Sequence, residues 1–145
     1  MSFGIFLQRE TSTEFGGPVL RGKVEIDDYS EDFFASADFW SRDDYLENWK
    51  RSLAEGVSGE GHCALITSMH NPVSSNFVFY WAVYFEGEVA YVQNSVLFLS
   101  DLHEEFDPNS INRYVAARSE VNEDGVAISQ WSVSRKSVLN FYKSL

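Results

Sequence analysis

Residues 76–99 read NFVFYWAVYFEGEVAYVQNSVLFL, two β-branched and aromatic runs joined by Glu86-Gly87-Glu88. The first run, Phe77 to Phe85, is nine residues without a charge, far short of the roughly 20 needed to span a membrane as a helix. Its composition suits a strand covered on both faces at the centre of a sheet. Gly87 then predicts a tight hairpin into a second strand over 88–99. With Glu86-Gly87 as the loop, Tyr84 faces Val89, Ala82 faces Tyr91 and Tyr80 faces Gln93.

Working outward, GHCALITSM (61–69) reads as a third strand, ended by the turn HNPVSS (70–75). On the far side, Asp107-Pro108 supplies an N-cap and first helical position for a helix through about Arg118, with Ile111, Tyr114 and Val115 inward. After the turn Asn122-Glu123-Asp124-Gly125, VAISQWSV (126–133) alternates as a strand. Ser134 then opens a terminal helix carrying Val138, Leu139, Phe141, Tyr142 and Leu145. Upstream, Ser41 can cap a helix with Asp43 and Asp44 in its first turn and Gly56 just past its end. Tyr45, Leu46, Trp49 and Leu53 form its buried stripe, while Glu47, Asn48 and Arg51 face water. Residues 3–7 are a short strand followed by a polar loop through Gly16-Gly17-Pro18. Val24 and Ile26 alternate with charges in KVEID, the pattern of an exposed edge strand. The fold class is α+β, a single domain over 1–145 with a mostly antiparallel twisted sheet and about three helices.

Composition narrows the chemistry. Rings make up 16% of the 145 residues, and 22 acidic against 11 basic residues leave a net charge of −11. Most of such a surface repels a phosphate backbone and attracts a basic protein. One cysteine, Cys63, permits no internal disulfide, and no Cys/His spacing for zinc exists. MSFGIFLQRE does not read as a secretion signal, which agrees with a reducing cytoplasm. His62, His70 and His103 form no H-x-x-x-H pair, and no nucleophile elbow, P-loop or dinucleotide fingerprint occurs. Adjacent strand positions put His62 and Cys63 on opposite faces, against a thiol–imidazole pair. Acid pairs such as Asp27/Asp28 and Asp43/Asp44 are expected by chance among 22 acids. No enzyme, metal or cofactor is expected.

The segment from Glu25 to Glu47 stands apart, with nine acids against the single base Arg42. Interleaved rings make it a candidate recognition surface, in which carboxylates steer a basic partner and aromatics anchor it. The nominated contacts are Asp27, Asp28, Glu31, Asp32, Phe33, Phe34, Asp38, Trp40, Asp43 and Asp44. In the competing interpretation the rings are core and the acids their solvated counterpart. An alternative function is a single-stranded nucleic-acid module stacking bases on Tyr80, Tyr84 and Tyr91. It needs a positive groove, and residues 61–100 contain no Lys or Arg.

ALITSMHNP (64–72), the hairpin 76–99, and EDGVAISQW (123–131) followed by SVLNFYKSL resemble the CdiI immunity proteins of bacterial contact-dependent growth inhibition. The likeness runs from FGIF (3–6) through DYLENW (44–49) to the C-terminus and is closest to the group paired with ribosomal-RNA-cleaving toxins. It implies a cytoplasmic protein that catalyses nothing and has a Whirly-like α+β fold. Such a protein binds the C-terminal domain of a cognate CdiA exoprotein, a basic nuclease, and blocks it. Direct nucleic-acid or membrane binding is not expected. No contact residue carries over from the family; the acidic-aromatic segment is nominated on physical grounds alone.

Overall fold

The computed structural model describes residues 2–145 and places the strands in two antiparallel sheets. The first contains β1 (Phe3–Glu14), β2 (Gly17–Ile26) and β3 (Tyr29–Ser36) in that order. The second contains β4 (His62–Met69), β5 (Phe77–Glu86), β6 (Val89–Phe98) and β7 (Trp131–Ser134), again in chain order. Helix α1 (Arg42–Glu55) links the sheets and α2 (Arg135–Ser144) ends the chain. The α+β class and the antiparallel pairing expected from the sequence are both present. What looked like one sheet is two, sharing a core to which Ile5, Val24, Trp49, Leu65, Trp81 and Val138 contribute.

Several local expectations need correction. The polar stretch after Leu7 is not a loop, because β1 continues through Glu14 and pairs with β2 around a register shift between Leu7 and Thr11. Nor is β2 an edge: it lies between β1 and β3, with Val24 and Ile26 buried. Alternation in KVEID reports one solvated face, which a central strand of an outer sheet also has. In the central hairpin the turn is Gly87-Glu88, one residue later than expected, so Tyr84 pairs with Tyr91, Ala82 with Gln93 and Tyr80 with Ser95. Each partner moves by two residues, and every side chain keeps its face. Cover on both faces holds for the middle of β5 and fails at its start, where Phe77 and Phe79 are exposed.

Ser41 and Asp44 form the reciprocal capping box that opens α1. Its other end differs from expectation. Gly56 stays right-handed (φ −65°), and one π-turn, Gly56–Glu60, carries the chain to Gly61, which takes the left-handed conformation (φ +76°). A Cβ on Gly56 would lie 2.7 Å from the His62 carbonyl oxygen, so close approach selects that glycine. The expected helix from Pro108 is only a 3₁₀ segment to Tyr114, broken at Ser110 (φ −117°), although Asp107 caps it as expected. Of the predicted strand 126–133 only residues 131–133 join a sheet, as the start of β7, after one isolated bridge between Val121 and Ala127.

The outer edge of β4 explains why α1 sits where it does. Unpaired edge amides invite pairing with other chains. Here side chains of α1 and of the 3₁₀ segment Pro108–Tyr114 occupy them. The Ala64 N–H donates to Asn112 Oδ1 (2.8 Å), the Ile66 N–H to Asn48 Oδ1 (3.2 Å) and the Met69 N–H to the Tyr45 hydroxyl (2.9 Å). Trp49 Nε1–H donates to the Ile66 carbonyl at 2.7 Å. Asn48, expected on the wet face, is therefore buried. Burial pushes the Tyr45 phenol up, keeping the proton it donates to the Ser36 carbonyl.

Cys63 lies in the core, and burial pushes its thiol well above the ordinary range. Across the strand, His62 Nε2 lies 2.9 Å from the Asn112 carbonyl oxygen. Native protein should resist a thiol-specific reagent and label at the rate of unfolding. Stopped-flow labelling at several denaturant concentrations checks this, and rapid native labelling would contradict the burial.

The opposite face of the second sheet is crossed by the irregular segment 115–130. Tyr84 donates its hydroxyl proton to the Ala116 carbonyl, and Gln93 Nε2 donates to Ser119 O and Gln130 Oε1, each at 2.9 Å. The Arg118 guanidinium lies 4.1 Å from the Tyr91 ring centre and pairs with Glu86 at 2.8 Å. Tyr80 is buried. The tyrosines of the base-stacking alternative are thus already occupied.

Candidate functional site

Strand β3 alternates, and that alternation builds the site. Tyr29, Glu31, Phe33 and Ala35 turn toward the second sheet, while Ser30 and Asp32 turn away and Phe34, on that same outer face, reaches the groove only at its rim, beside Phe15. Phe33 lies flat over Gly22 on the neighbouring strand, where a Cβ would meet its ring at 2.3 Å. Beyond Glu31, Tyr29 stacks on Trp131 at 4.5 Å, tying the first sheet to β7. Glu31 accepts the Tyr29 hydroxyl at 2.7 Å, and that hydrogen bond raises the phenol's pKa.

Between β3 and the second sheet lies a groove of about 520 Å³, within the range of sites that receive ligands or anchoring side chains. Phe33, Phe79 and Trp81 supply its apolar walls, with Thr67, Ser68 and Asn94 among its polar lining. Its titratable lining is Glu14, Glu31, Asp38 and His70, three carboxylates against one imidazole. Asp38 accepts the Ser36 hydroxyl at 2.6 Å and lies 4.0 Å from His70 Nδ1. At the mouth, Phe15 is 88% exposed, Phe34 41% and Phe79 43%. Phe15 and Phe34 meet edge to face at 5.4 Å, and past Phe79 the apolar strip continues to Phe77 and Phe98, also 5.4 Å apart. Single exposed rings are ordinary; two clusters of them flanking one groove are what singles this surface out as a candidate.

A second groove, about 590 Å³, follows the free edge of β1 beside α1 and α2. Arg42 Nε–H donates to the Leu7 carbonyl there at 3.2 Å. Arg42 and Lys50 balance Asp43 and Glu47 in its lining, so it lacks the sign preference of the first groove. Charge, not volume, separates the two.

Of the residues nominated from the sequence, the first groove gathers Glu31, Phe33, Phe34 and Asp38. The others lie elsewhere. Asp27 and Asp28 form the β2–β3 turn, with Asp27 Oδ1 accepting the Ser2 N–H at 2.8 Å. Asp32 lies opposite Lys23 on the outer face. Trp40 packs edge to face on Tyr45 at 5.1 Å, half-buried. Asp43 and Asp44 sit in the first turn of α1, where Asp44 caps the helix. Sequence reasoning missed Phe15, Phe79 and His70. A readable signal existed for Phe15: a phenylalanine beside Gly16 in a hairpin turn has no apolar neighbours to bury it. Its backbone is left-handed (φ +54°), a conformation that costs a residue other than glycine roughly 1–2 kcal/mol.

This ring-rimmed, acid-lined groove between the sheets is the candidate site. Residues 35–141 match the family model described as the CdiI N-terminal domain. The chain belongs to the CdiI family of immunity proteins, as its sequence motifs suggested. In particular, it is 41% identical over 143 residues to the immunity protein CdiI of Enterobacter cloacae subsp. cloacae, covering 99% of this chain and 98% of that protein. Its fold is similar, with a TM-score of 0.92 and 41% identity, to a chain of the solved CdiA-CT/CdiI toxin and immunity complex from Enterobacter cloacae. That likeness covers 98% of this chain and 97% of the other. No helix among the described residues is long and apolar enough to cross a membrane.

Proposed function

We propose that this chain, acting as one domain over 1–145, binds the C-terminal toxin domain of a cognate CdiA exoprotein in the cytoplasm and neutralises it by occlusion, without catalysis. The supporting observation is the likeness, nearly end to end, to an immunity protein solved in complex with its toxin. The toxin is a basic nuclease, an RNase by the motif resemblance, and the net charge of −11 complements the cationic face such an enzyme needs for RNA. Interfaces of about 800 Å² per partner suffice to cover a nuclease cleft. Steering raises association from about 10⁵–10⁶ toward about 10⁸–10⁹ M⁻¹s⁻¹ at low salt. Speed of capture decides survival when an active toxin enters the cell.

The test uses the C-terminal toxin domain of the cognate CdiA, the exoprotein whose gene is expected immediately upstream of this chain's. Co-expression should restore growth and yield a one-to-one complex on gel filtration. In vitro, RNA cleavage should vanish at equimolar immunity protein. Full lethality and separate elution of the two proteins would overturn the proposal.

A further inference from the structure

We propose that Phe15, at the tip of the β1–β2 hairpin, is the hydrophobic anchor through which this chain holds its partner, closing over a cationic segment of that partner laid in the groove between the sheets. The inference rests on the proposed toxin-binding function and says where and by what chemistry contact is made.

The backbone carries the first half. Glu14 pairs with Gly17, so Phe15-Gly16 is a two-residue loop, and both residues have positive φ, +54° and +82°. Asn-Gly or Asp-Gly is the usual filling of such a turn. A bulky residue there is a steric outlier, and outliers of this kind concentrate at functional sites. Asp27 is the other non-glycine residue at positive φ among those described (+53°), and it has a local reason: its carboxylate accepts the Ser2 N–H. Phe15 has no such reason. Its ring is 88% exposed, and its ring contact is the edge-to-face one with the also exposed Phe34. The phenyl adds little to the fold and stands where a partner would cover it.

Charge and chemistry carry the second half. Phe15 stands at the mouth of a groove whose lining carries Glu14, Glu31 and Asp38 with His70 as its sole basic side chain, and Phe33 and Phe79 expose ring surface alongside. Glu14 is already paired with Arg21 at 3.1 Å, so Glu31 and Asp38 are the carboxylates left to meet a partner's cation. Carboxylates beside aromatic faces select a guanidinium, which pairs with the first and stacks on the second. The expected occupant is an arginine-bearing segment of the basic toxin domain, covered on one side by Phe15. Hot spots at protein interfaces have this form, an aromatic excluding water from a paired charge.

The test measures affinity for the purified toxin domain by calorimetry and thermal unfolding of the free protein, for the full chain and for Phe15→Asn and Phe15→Tyr. Phe15→Asn should bind at least about tenfold more weakly. Its melting temperature should hold or rise by about 2–4 °C, because asparagine tolerates the left-handed turn. Phe15→Tyr should keep wild-type affinity. A ring that merely supports the fold would lower the melting temperature in Phe15→Asn, and that outcome overturns the proposal. So does Phe15→Asn binding as tightly as wild type, which leaves the immunity function standing and moves the interface elsewhere. Failure of the wild-type chain to bind the toxin removes both.

Discussion

Replacing Trp49 with alanine should remove about 3–5 kcal/mol of folding stability, the usual cost of deleting a fully buried indole. The ring is 0% exposed and lies 6.4 Å from Phe141 of α2, so its loss opens a cavity where both helices meet the sheets. Two effects combine. The cavity removes apolar contact, and the Ile66 carbonyl loses the Nε1–H that satisfies it at 2.7 Å. Trp49→Phe separates them, because it keeps most of the volume and should cost only the orphaned acceptor, about 1–3 kcal/mol. Domains of this size are stable by about 5–15 kcal/mol, so the alanine variant should lose between about a fifth and nearly all of that margin. Urea denaturation followed by circular dichroism checks both values. A loss below about 1.5 kcal/mol for the alanine variant would mean that α1 is not held against β4 as described. The variant should also aggregate, since loosening α1 uncovers the amides of Ile66 and Met69.

That edge cover shows where sequence reading stops. The start of α1 was legible because its signals are local: Ser41 and Asp44 cap each other within one turn. The central hairpin was legible because an apolar run of that length has few alternatives, and its two-residue offset in pairing did no harm to its faces. Asn48 was misread. Helical spacing puts it beside the buried stripe, and only the distant edge of β4 makes an amide there more favourable inside than outside. The same limit hid the second half of β1, where QRETSTE has no apolar face and pairs in solvent with β2. Segment 115–130 looked like the end of a helix and the start of a strand. Its backbone is instead spent on side chains of the sheet it crosses, Tyr84 and Gln93.

The candidate site was half legible for a related reason. Counting acids from 25 to 47 located the charge, but a strand divides its residues between two faces. Glu31 and Phe33 enter the groove while Asp32 points away. The alternation in YSEDFFAS held that information, though not which face had a second sheet opposite it. Phe79 and Trp81 come from the other half of the chain, and only the packing of the sheets brings them to β3.

Reversing the groove's inner carboxylates, Glu31→Lys with Asp38→Lys, should weaken toxin binding by about 100-fold or more and abolish protection in cells, because like charges are then buried against the partner's cations. The matched control is Glu123→Lys with Asp124→Lys. Those acids are exposed in the turn after Val121, on the segment that crosses the opposite face of the second sheet, and their reversal alters the net charge of −11 equally. Loss of long-range steering alone would slow association in both pairs by similar factors and leave dissociation unchanged. Groove contact predicts a different split, with faster dissociation in the Glu31/Asp38 pair only. Stopped-flow association at about 50 and 200 mM salt, with dissociation by competition, resolves the two contributions. Glu31 also accepts the Tyr29 hydroxyl and Asp38 the Ser36 hydroxyl, so the groove variant should melt somewhat lower than wild type while remaining folded, which thermal unfolding checks. Equal effects from the two pairs would leave only the overall charge at work and remove the groove as the docking site.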